Sequence, residues 1–152
     1  SFFQKYKYRH PDPIDFRREV ERSSGLELDW YFEYFINTTN QIDYAVGDVK
    51  KSKGGTTVTL KREGVMPMPL EVEVTMENGS TTVYYIPLRV MWGQKPAEGD
   101  IWMPQSEWPW TNPTYDLKLD GVKTKQIASI IINPDNRMAD VDRGNNAWKQ
   151  DK

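Results

Sequence analysis

The chain has no cysteine and a single histidine, His10, among its 152 residues. The absence of cysteine excludes disulfide bonds, thiolate metal sites and a cysteine nucleophile. A zinc hydrolase site usually takes two histidines one helical turn apart with a glutamate between them, so His10 alone cannot build one. A Ser-His-acid triad would also need His10. Because His10 precedes Pro11, which favours an extended connector, we expect it to make a hydrogen bond at a helix end or an interface.

A strong excess of one charge is absent as well. Basic residues number 20 and acidic residues 22, which gives a formal net charge of −2. Such a balance provides no field that favours nucleic acid or an anionic membrane as a partner. No apolar run approaches the roughly 20 residues that cross a bilayer, and no glycine-rich phosphate loop is present. We therefore expect no nucleic-acid partner and no membrane span.

The first helix with clear boundaries is predicted over residues 12–24. Asp12, followed by a proline, is typical of an N-cap and first helical position, and Gly25 supplies a left-handed stop. Phe16 and Val20 lie one turn apart, and we expect them to form the buried stripe of this helix.

A second helix is predicted over residues 27–37, because apolar side chains recur there at helical spacing. Within residues 30–36 only Glu33 is charged, so this helix is apolar nearly all round. Such a helix is normally buried on more than one side. Its surface is covered either by the rest of this chain or by a domain outside it. The residues that we expect to pack against another domain are Trp30, Tyr31, Tyr34 and Phe35.

From residue 42 onward the hydropathy pattern changes from a period near 3.6 to a period of 2. Residues 42–49 and 57–61 predict one hairpin with a bulge at Gly47, and residues 70–76 and 83–90 predict another around an Asn-Gly turn. Further strands are predicted near residues 101–103, 115–119 and 128–132.

These patterns predict a mainly β fold with a short α-helical N-terminal part. The expected architecture is an antiparallel Ig-like β-sandwich of about seven strands, preceded by two to three helices. We expect the helical segment to span residues 1–40 and the β-sandwich domain to span residues 41–152.

A loop rich in tryptophan and proline interrupts the strand pattern between residues 93 and 112. Trp102, Trp108 and Trp110 are a candidate ligand platform, because exposed indole faces stack on sugar rings. Tryptophans flanked by prolines also fasten loops onto sandwiches, and we favour that interpretation over sugar binding.

The segment from Asp140 to Asn146 has the closely spaced oxygen ligands with which a calcium loop begins. Gly144 occupies the third ligand position and no bidentate glutamate follows, so the match to a calcium loop is incomplete. Hydrogen bonds from aspartate and asparagine side chains to the backbone are the better account of this segment.

Several segments together resemble aminopeptidase N-type gluzincin metallopeptidases, particularly the bacterial branch. The end of the catalytic domain in that family is similar to residues 10–16, Ser24-Gly25, 28–32 and 38–43. The β-sandwich that follows the thermolysin-like domain there is similar to residues 64–72, 133–135, 139–143 and 145–146. The first six residues read as the last turns of a helix, so we expect this chain to be the C-terminal piece of a larger protein.

The resemblance implies a zinc-dependent parent enzyme in which this chain is noncatalytic. In that family the H-E-x-x-H motif with its downstream glutamate, the G-x-M-E-N motif and the transition-state tyrosine lie upstream of the matched region, and none has a counterpart here. It therefore implies no catalytic, metal or cofactor residue in this chain, with zinc expected in the parent catalytic domain.

The expected partner is the chain's own upstream catalytic domain, with peptide substrate reached only through the parent. The resemblance also implies a bacterial protein in the periplasm or secreted. The alternatives left open are a carbohydrate-binding module and a protein-interaction sandwich.

Overall fold

The computed structural model describes residues 1–97 and 102–150. The chain divides into two compact units. The helical unit consists of residues 1–39 and 90–95, and the β unit consists of residues 40–89 and the described residues from 96 onward. The sequence pattern gives no signal that residues 90–95 belong with the helices.

The helical unit contains three helices: α1 Phe2–Tyr6, α2 Pro13–Ser24 and α3 Asp29–Asn37. Helix α2 has the predicted caps. The carboxylate of Asp12 accepts a hydrogen bond from the Asp15 N–H at 2.7 Å, and the Asp15 carboxylate accepts one from the Asp12 N–H at 3.3 Å. Gly25 ends the helix with a φ of 71°, a left-handed conformation that costs glycine little.

Helix α3 begins two residues later than predicted. Leu28 is its N-cap residue, and the side chain makes no capping hydrogen bond. The helix is instead fastened by the Leu28 N–H, which donates to the Glu21 carboxylate at 3.1 Å, and by the Trp30 indole N–H, which donates to the Glu27 carbonyl at 2.9 Å. Residues 90–95 are also bound to this part of the helical unit, since the Glu27 N–H donates to the Met91 carbonyl at 2.8 Å.

The β unit contains eight described strands. They are β1 Tyr44–Ser52, β2 Gly55–Arg62, β3 Leu70–Met76, β4 Thr81–Ile86, β5 Trp102–Pro104, β6 Thr114–Asp120, β7 Ile127–Ile132 and β8 Ala147–Lys149. One sheet has the order β1-β2-β6 and is antiparallel throughout. The other has the order β5-β4-β3-β7-β8, in which β5 pairs parallel to β4 and the remaining pairs are antiparallel.

The core of the β unit lies between the two sheets, as strand alternation predicts. In several strands, residues two apart are fully or almost fully inaccessible to solvent. The clearest examples are Val58 and Leu60, Val72 and Val74, Leu117 and Leu119, and Ile130 and Ile132. The register of β1 against β2 shifts between Val46 and Val49, which confirms the predicted bulge around Gly47.

The predicted fold class is confirmed, since short helices are followed by a larger β part with two sheets. The strands at residues 101–103 and at the end of the chain are the least well predicted. Ile101 lies outside the described residues, and β8 was not predicted because three residues are too few to show a period. Within the described ranges, none of the helices combines the length and apolarity that crossing a bilayer requires.

Candidate functional site

The surface of the helical unit is the most unusual feature of the molecule. None of residues 1–39, all of which the structure describes, is buried. Six large apolar or aromatic residues in this range are about half exposed or more. Phe3 at 69% and Tyr8 at 99% lie near the start of the chain, and α2 and α3 carry Ile14 at 47%, Phe16 at 46%, Phe35 at 54% and Ile36 at 68%. Single exposed apolar residues are ordinary, but several within two adjacent helices mark a surface suited to association.

A chain of aromatic rings connects the three helices. The Phe16 ring lies 5.4 Å from Phe2 and 6.2 Å from Phe32 between centroids, with edge-on geometry in both pairs. Along α3, Tyr31 stacks on Phe35 at 5.4 Å with an interplanar angle of 10°. These rings contact one another but do not form an enclosed core, so each ring keeps part of its surface in water.

The prediction that Phe16 and Val20 form a buried stripe is wrong for Phe16. Its ring contacts rings of both neighbouring helices, yet 46% of the residue remains exposed. Val20 is only partly buried. Three short helices supply too few side chains to enclose a phenyl ring from all sides.

The four residues predicted for inter-domain packing share helix α3 but differ in exposure. Trp30, Tyr31 and Tyr34 are partly buried, whereas Phe35 is exposed. The Trp30 indole is held in place by its hydrogen bond to Glu27 and by an edge contact with Tyr31 at 5.8 Å. The structure therefore leaves Phe35 as the member of this group with the most surface free for a partner.

A shallow groove of about 280 Å³ lies between α2 and α3. We call it the α2–α3 groove, and its principal lining residues are Ile14, Arg17, Phe32, Glu33 and Ile36. It combines the apolar side chains of Ile14, Phe32 and Ile36 with the charged side chains of Arg17, Asp29 and Glu33, as protein interfaces combine apolar and polar residues.

Sequence reasoning did not identify Ile14 and Ile36 as surface residues. A signal was present, because Phe32 and Ile36 are four residues apart and therefore lie on one face of α3. What the sequence could not show is which neighbour that face meets. The structure places Ile14 of the first turn of α2 beside it, and the two helices leave the groove open.

An acidic group lies at the junction of α2 and α3. Glu21, Glu27 and Asp29 hold carboxylate oxygens within 4.8 Å of one another. Two of them already have a cationic partner, since Arg17 forms ion pairs with Glu21 and Asp29. Glu21 also accepts the Leu28 N–H. This group is accounted for as an ion-pair network that joins the two helices.

The three tryptophans of the candidate ligand platform have different surroundings. Trp108 is 2% exposed, its indole N–H donates to the Asn112 carbonyl at 2.9 Å, and its ring lies 5.5 Å from Tyr44. Trp102 is partly buried and stacks on Tyr85 at 5.0 Å. Trp110 is 46% exposed. Trp108 therefore anchors the loop to the core, and Trp110 is the most exposed of the three tryptophans.

The segment after Asp140 forms local hydrogen bonds of the predicted kind. The Asp140 carboxylate accepts hydrogen bonds from the Tyr44 N–H and the Asp142 N–H, both at 3.0 Å. The Asp142 carboxylate accepts the Gly144 N–H at 2.9 Å. These bonds confirm that aspartate side chains tie this segment to the backbone. His10 is exposed, and the structure records no hydrogen bond for it among the described residues.

No protein-family model matches the chain, and no curated protein or solved structure does either. The resemblance to aminopeptidase N-type metallopeptidases consequently stays a prediction that is based on the residues quoted for it.

Proposed function

We propose that this chain is a noncatalytic accessory region of a zinc-dependent, aminopeptidase-like metallopeptidase. In this proposal the α2–α3 groove and the exposed end of α3 bind the catalytic domain, and the sandwich supports it. Any peptide substrate and the zinc ion belong to the catalytic domain. The parent enzyme would act outside the cytoplasm of a bacterium.

The observation that carries the proposal is the exposure of apolar side chains on helices that bury nothing. Ile14, Phe16, Phe35 and Ile36 each keep about half or more of their surface in water. Covering the exposed part of such a side chain contributes on the order of 1 kcal/mol. Four of them on two adjacent helices therefore provide a substantial driving force for docking. The resemblance to aminopeptidase N-type metallopeptidases suggests the catalytic domain as the partner.

The alternative sugar-binding function receives less support from the geometry. Sugar rings stack on exposed indole faces. Trp108 is buried and Trp102 is stacked on Tyr85, so neither offers an open face like that of Trp110.

The simplest test reads the gene upstream of the codon for Ser1. We expect one continuous reading frame that encodes H-E-x-x-H and a later glutamate. A complete upstream frame without those motifs would contradict the proposed family, whatever the helices bind.

A binding experiment tests the docking surface itself. We expect the separately produced upstream domain to form a complex with this chain on size-exclusion chromatography. The substitutions Ile14→Glu and Ile36→Glu should weaken that complex about tenfold or more, because each places a charge in an apolar contact. The matched control is Val65→Glu with Val141→Glu, since these valines are exposed at 60% and 54% in the β unit. Equal loss in both variants, or no complex at all, would count against the docking surface.

A further inference from the structure

A second groove lies at one end of the β unit and is lined by lysine and glycine. Its volume is about 740 Å³. The lining residues include Lys51, Lys123 and Lys125 and the turns at Gly54 and Gly121. We call it the lysine groove. It is unrelated to the helical surface described above, because every one of its lining residues belongs to the β unit.

Strand pairing places Lys51 at one end of the sandwich. Lys51 is opposite Thr56 in the β1–β2 ladder, and Thr56 is opposite Leu119 in the β2–β6 ladder. Directly paired residues point to the same face of a sheet. Thr56 and Leu119 are both 1% exposed, so Lys51 extends from the face that forms the core, at the point where the core ends.

A buried threonine positions the other two lysines. The Thr56 hydroxyl donates to the Val122 carbonyl at 2.8 Å and contacts the Thr124 hydroxyl at 2.9 Å. Since Lys123 and Lys125 flank Thr124 in the chain, these bonds fasten both lysines beside β2. The three ammonium groups are therefore carried by backbone segments that are fixed to each other.

The two turns that border the groove are also joined directly. The Gly121 N–H donates to the Gly54 carbonyl at 2.8 Å. A side chain on Gly55 would place its Cβ 2.1 Å from the Leu119 carbonyl oxygen, so only glycine permits this close approach of β2 and β6. These contacts hold the two turns together, and a groove that is already formed lowers the entropic cost of binding a ligand.

Among the described residues, no carboxylate neutralises the positive charge of the groove. No carboxylate is among the described residues that line it. Across the described part of the chain, none of Lys51, Lys123 and Lys125 takes part in an ion pair. The protein as a whole has a net charge of −2, so this cluster is a local feature and not the consequence of a basic composition.

We propose that the lysine groove binds a small molecule that carries two or more phosphate or sulfate groups. Lysine is a point-charge ligand for such oxyanions. The volume of the groove exceeds that of a single inorganic oxyanion, which favours a ligand with several anionic groups. A phosphorylated metabolite and a sulfated sugar share this chemistry.

The test is an NMR titration of the whole chain with tripolyphosphate and, separately, with a heparin-type sulfated disaccharide. We expect the amide signals of Gly54, Gly55 and Gly121 to shift with either or both ligands. An unsulfated disaccharide at the same concentration should leave them unchanged. Response to one ligand identifies its anionic group as the preferred one. Adding salt should weaken the binding, because partly exposed charges are screened.

A triple substitution distinguishes the groove from general surface charge. Lys51→Ala, Lys123→Ala and Lys125→Ala together should weaken binding about tenfold or more, given the modest contribution of each exposed ion pair. The control carries Lys7→Ala, Lys61→Ala and Lys118→Ala, which remove the same charge from exposed positions outside the groove. The proposal is overturned if neither ligand shifts the glycine amides, or if both triple variants lose affinity equally.

Discussion

Tyr44 connects three distant parts of the β unit through one residue. Its hydroxyl accepts the Met68 N–H at 2.8 Å and lies 3.2 Å from the Met68 carbonyl, to which it donates. Its backbone N–H donates to Asp140, and its ring contacts Trp108. The period-2 pattern of residues 42–49 predicted a strand at Tyr44. It could not predict these partners, because they are 24, 64 and 96 residues away in the chain.

We predict that the stability of the protein falls between pH 10 and pH 12 in a way that depends on Tyr44. Burial raises the pKa of Tyr44 from its ordinary value of 10.0 to about 12. Below pH 10 the phenol is neutral in both the folded and unfolded states. Between these values the unfolded state loses its proton first, so the free energy of unfolding decreases as the pH rises.

Urea denaturation at pH 8, 10 and 11 measures this effect. At pH 8 the Tyr44→Phe variant should be less stable by about 1–2 kcal/mol, because the hydrogen bonds to Met68 are lost. Its stability should then decline less steeply above pH 10 than that of the unsubstituted protein. Identical slopes for the two proteins would show that Tyr44 is not the titrating group.

At the scale of elements, helix α2 shows how completely local signals can define a structure. Its N-cap, its proline and its terminal glycine were all predicted from the sequence, and each occupies the expected place. Capping depends on residues within one turn of the helix end, so no distant contact is needed to specify it.

We predict that Asp12→Ala lowers the helical content and the stability of the helical unit. The substitution removes the acceptor of the Asp15 N–H, and losses of this kind cost about 0.5–2 kcal/mol. Circular dichroism at 222 nm during thermal unfolding measures the change. Asp12→Asn is the control, because its amide oxygen still accepts the hydrogen bond, and it should behave nearly as the unsubstituted chain does. Equal effects of the two substitutions would mean that charge, and not capping, is what matters.

Strand pairing could be predicted where the paired strands follow each other closely in the sequence. The hairpin of β3 and β4 follows from alternation and from the turn at Asn78-Gly79. By contrast, the pairing of β7 with β8 joins strands separated by a long irregular segment, and β5 joins β4 in parallel. Those pairings depend on which edges are free once the other strands have formed, and a single sequence does not contain that information.

The candidate site, too, was predictable only where it depends on local sequence patterns. The aromatic character of residues 30–36 was evident in the sequence and led directly to α3. The lysine groove was not predicted, since Lys51 and Lys123 are brought together by two separate strand ladders and by Thr56. The exposure of Phe16 was missed because periodicity shows which residues share a face and does not show whether that face is covered.

At the scale of the whole molecule, the two units differ in how much they bury. The β unit has a core that includes Leu60, Val72 and Ile130, each of which is fully inaccessible, whereas residues 1–39 bury none. Local stability follows the amount of buried apolar surface.

We therefore predict that amide hydrogen exchange is much faster in α2 and α3 than in β3 and β7. The measurement is exchange followed by NMR or mass spectrometry on the chain alone. The strands should exchange only through global unfolding, while the helices should open at a lower free energy. Binding of the proposed catalytic domain should then slow exchange in α2 and α3 and leave the strands unchanged. Equal protection of helices and strands in the free chain would contradict this prediction.

The edge strands of the two sheets affect whether a neighbouring molecule can add a strand to them. The outer strands of the five-stranded sheet, β5 and β8, contribute three described residues each, and β5 ends at Pro104. Strand β1, at the border of the other sheet, has a bulge and carries Lys50 and Lys51. Short, kinked or charged borders give a neighbouring chain little backbone to extend as an added strand. Strand β6, at the opposite edge of that sheet, is seven residues long and carries Asp116, Lys118 and Asp120, and such charges likewise disfavour the addition of a strand from a neighbouring chain.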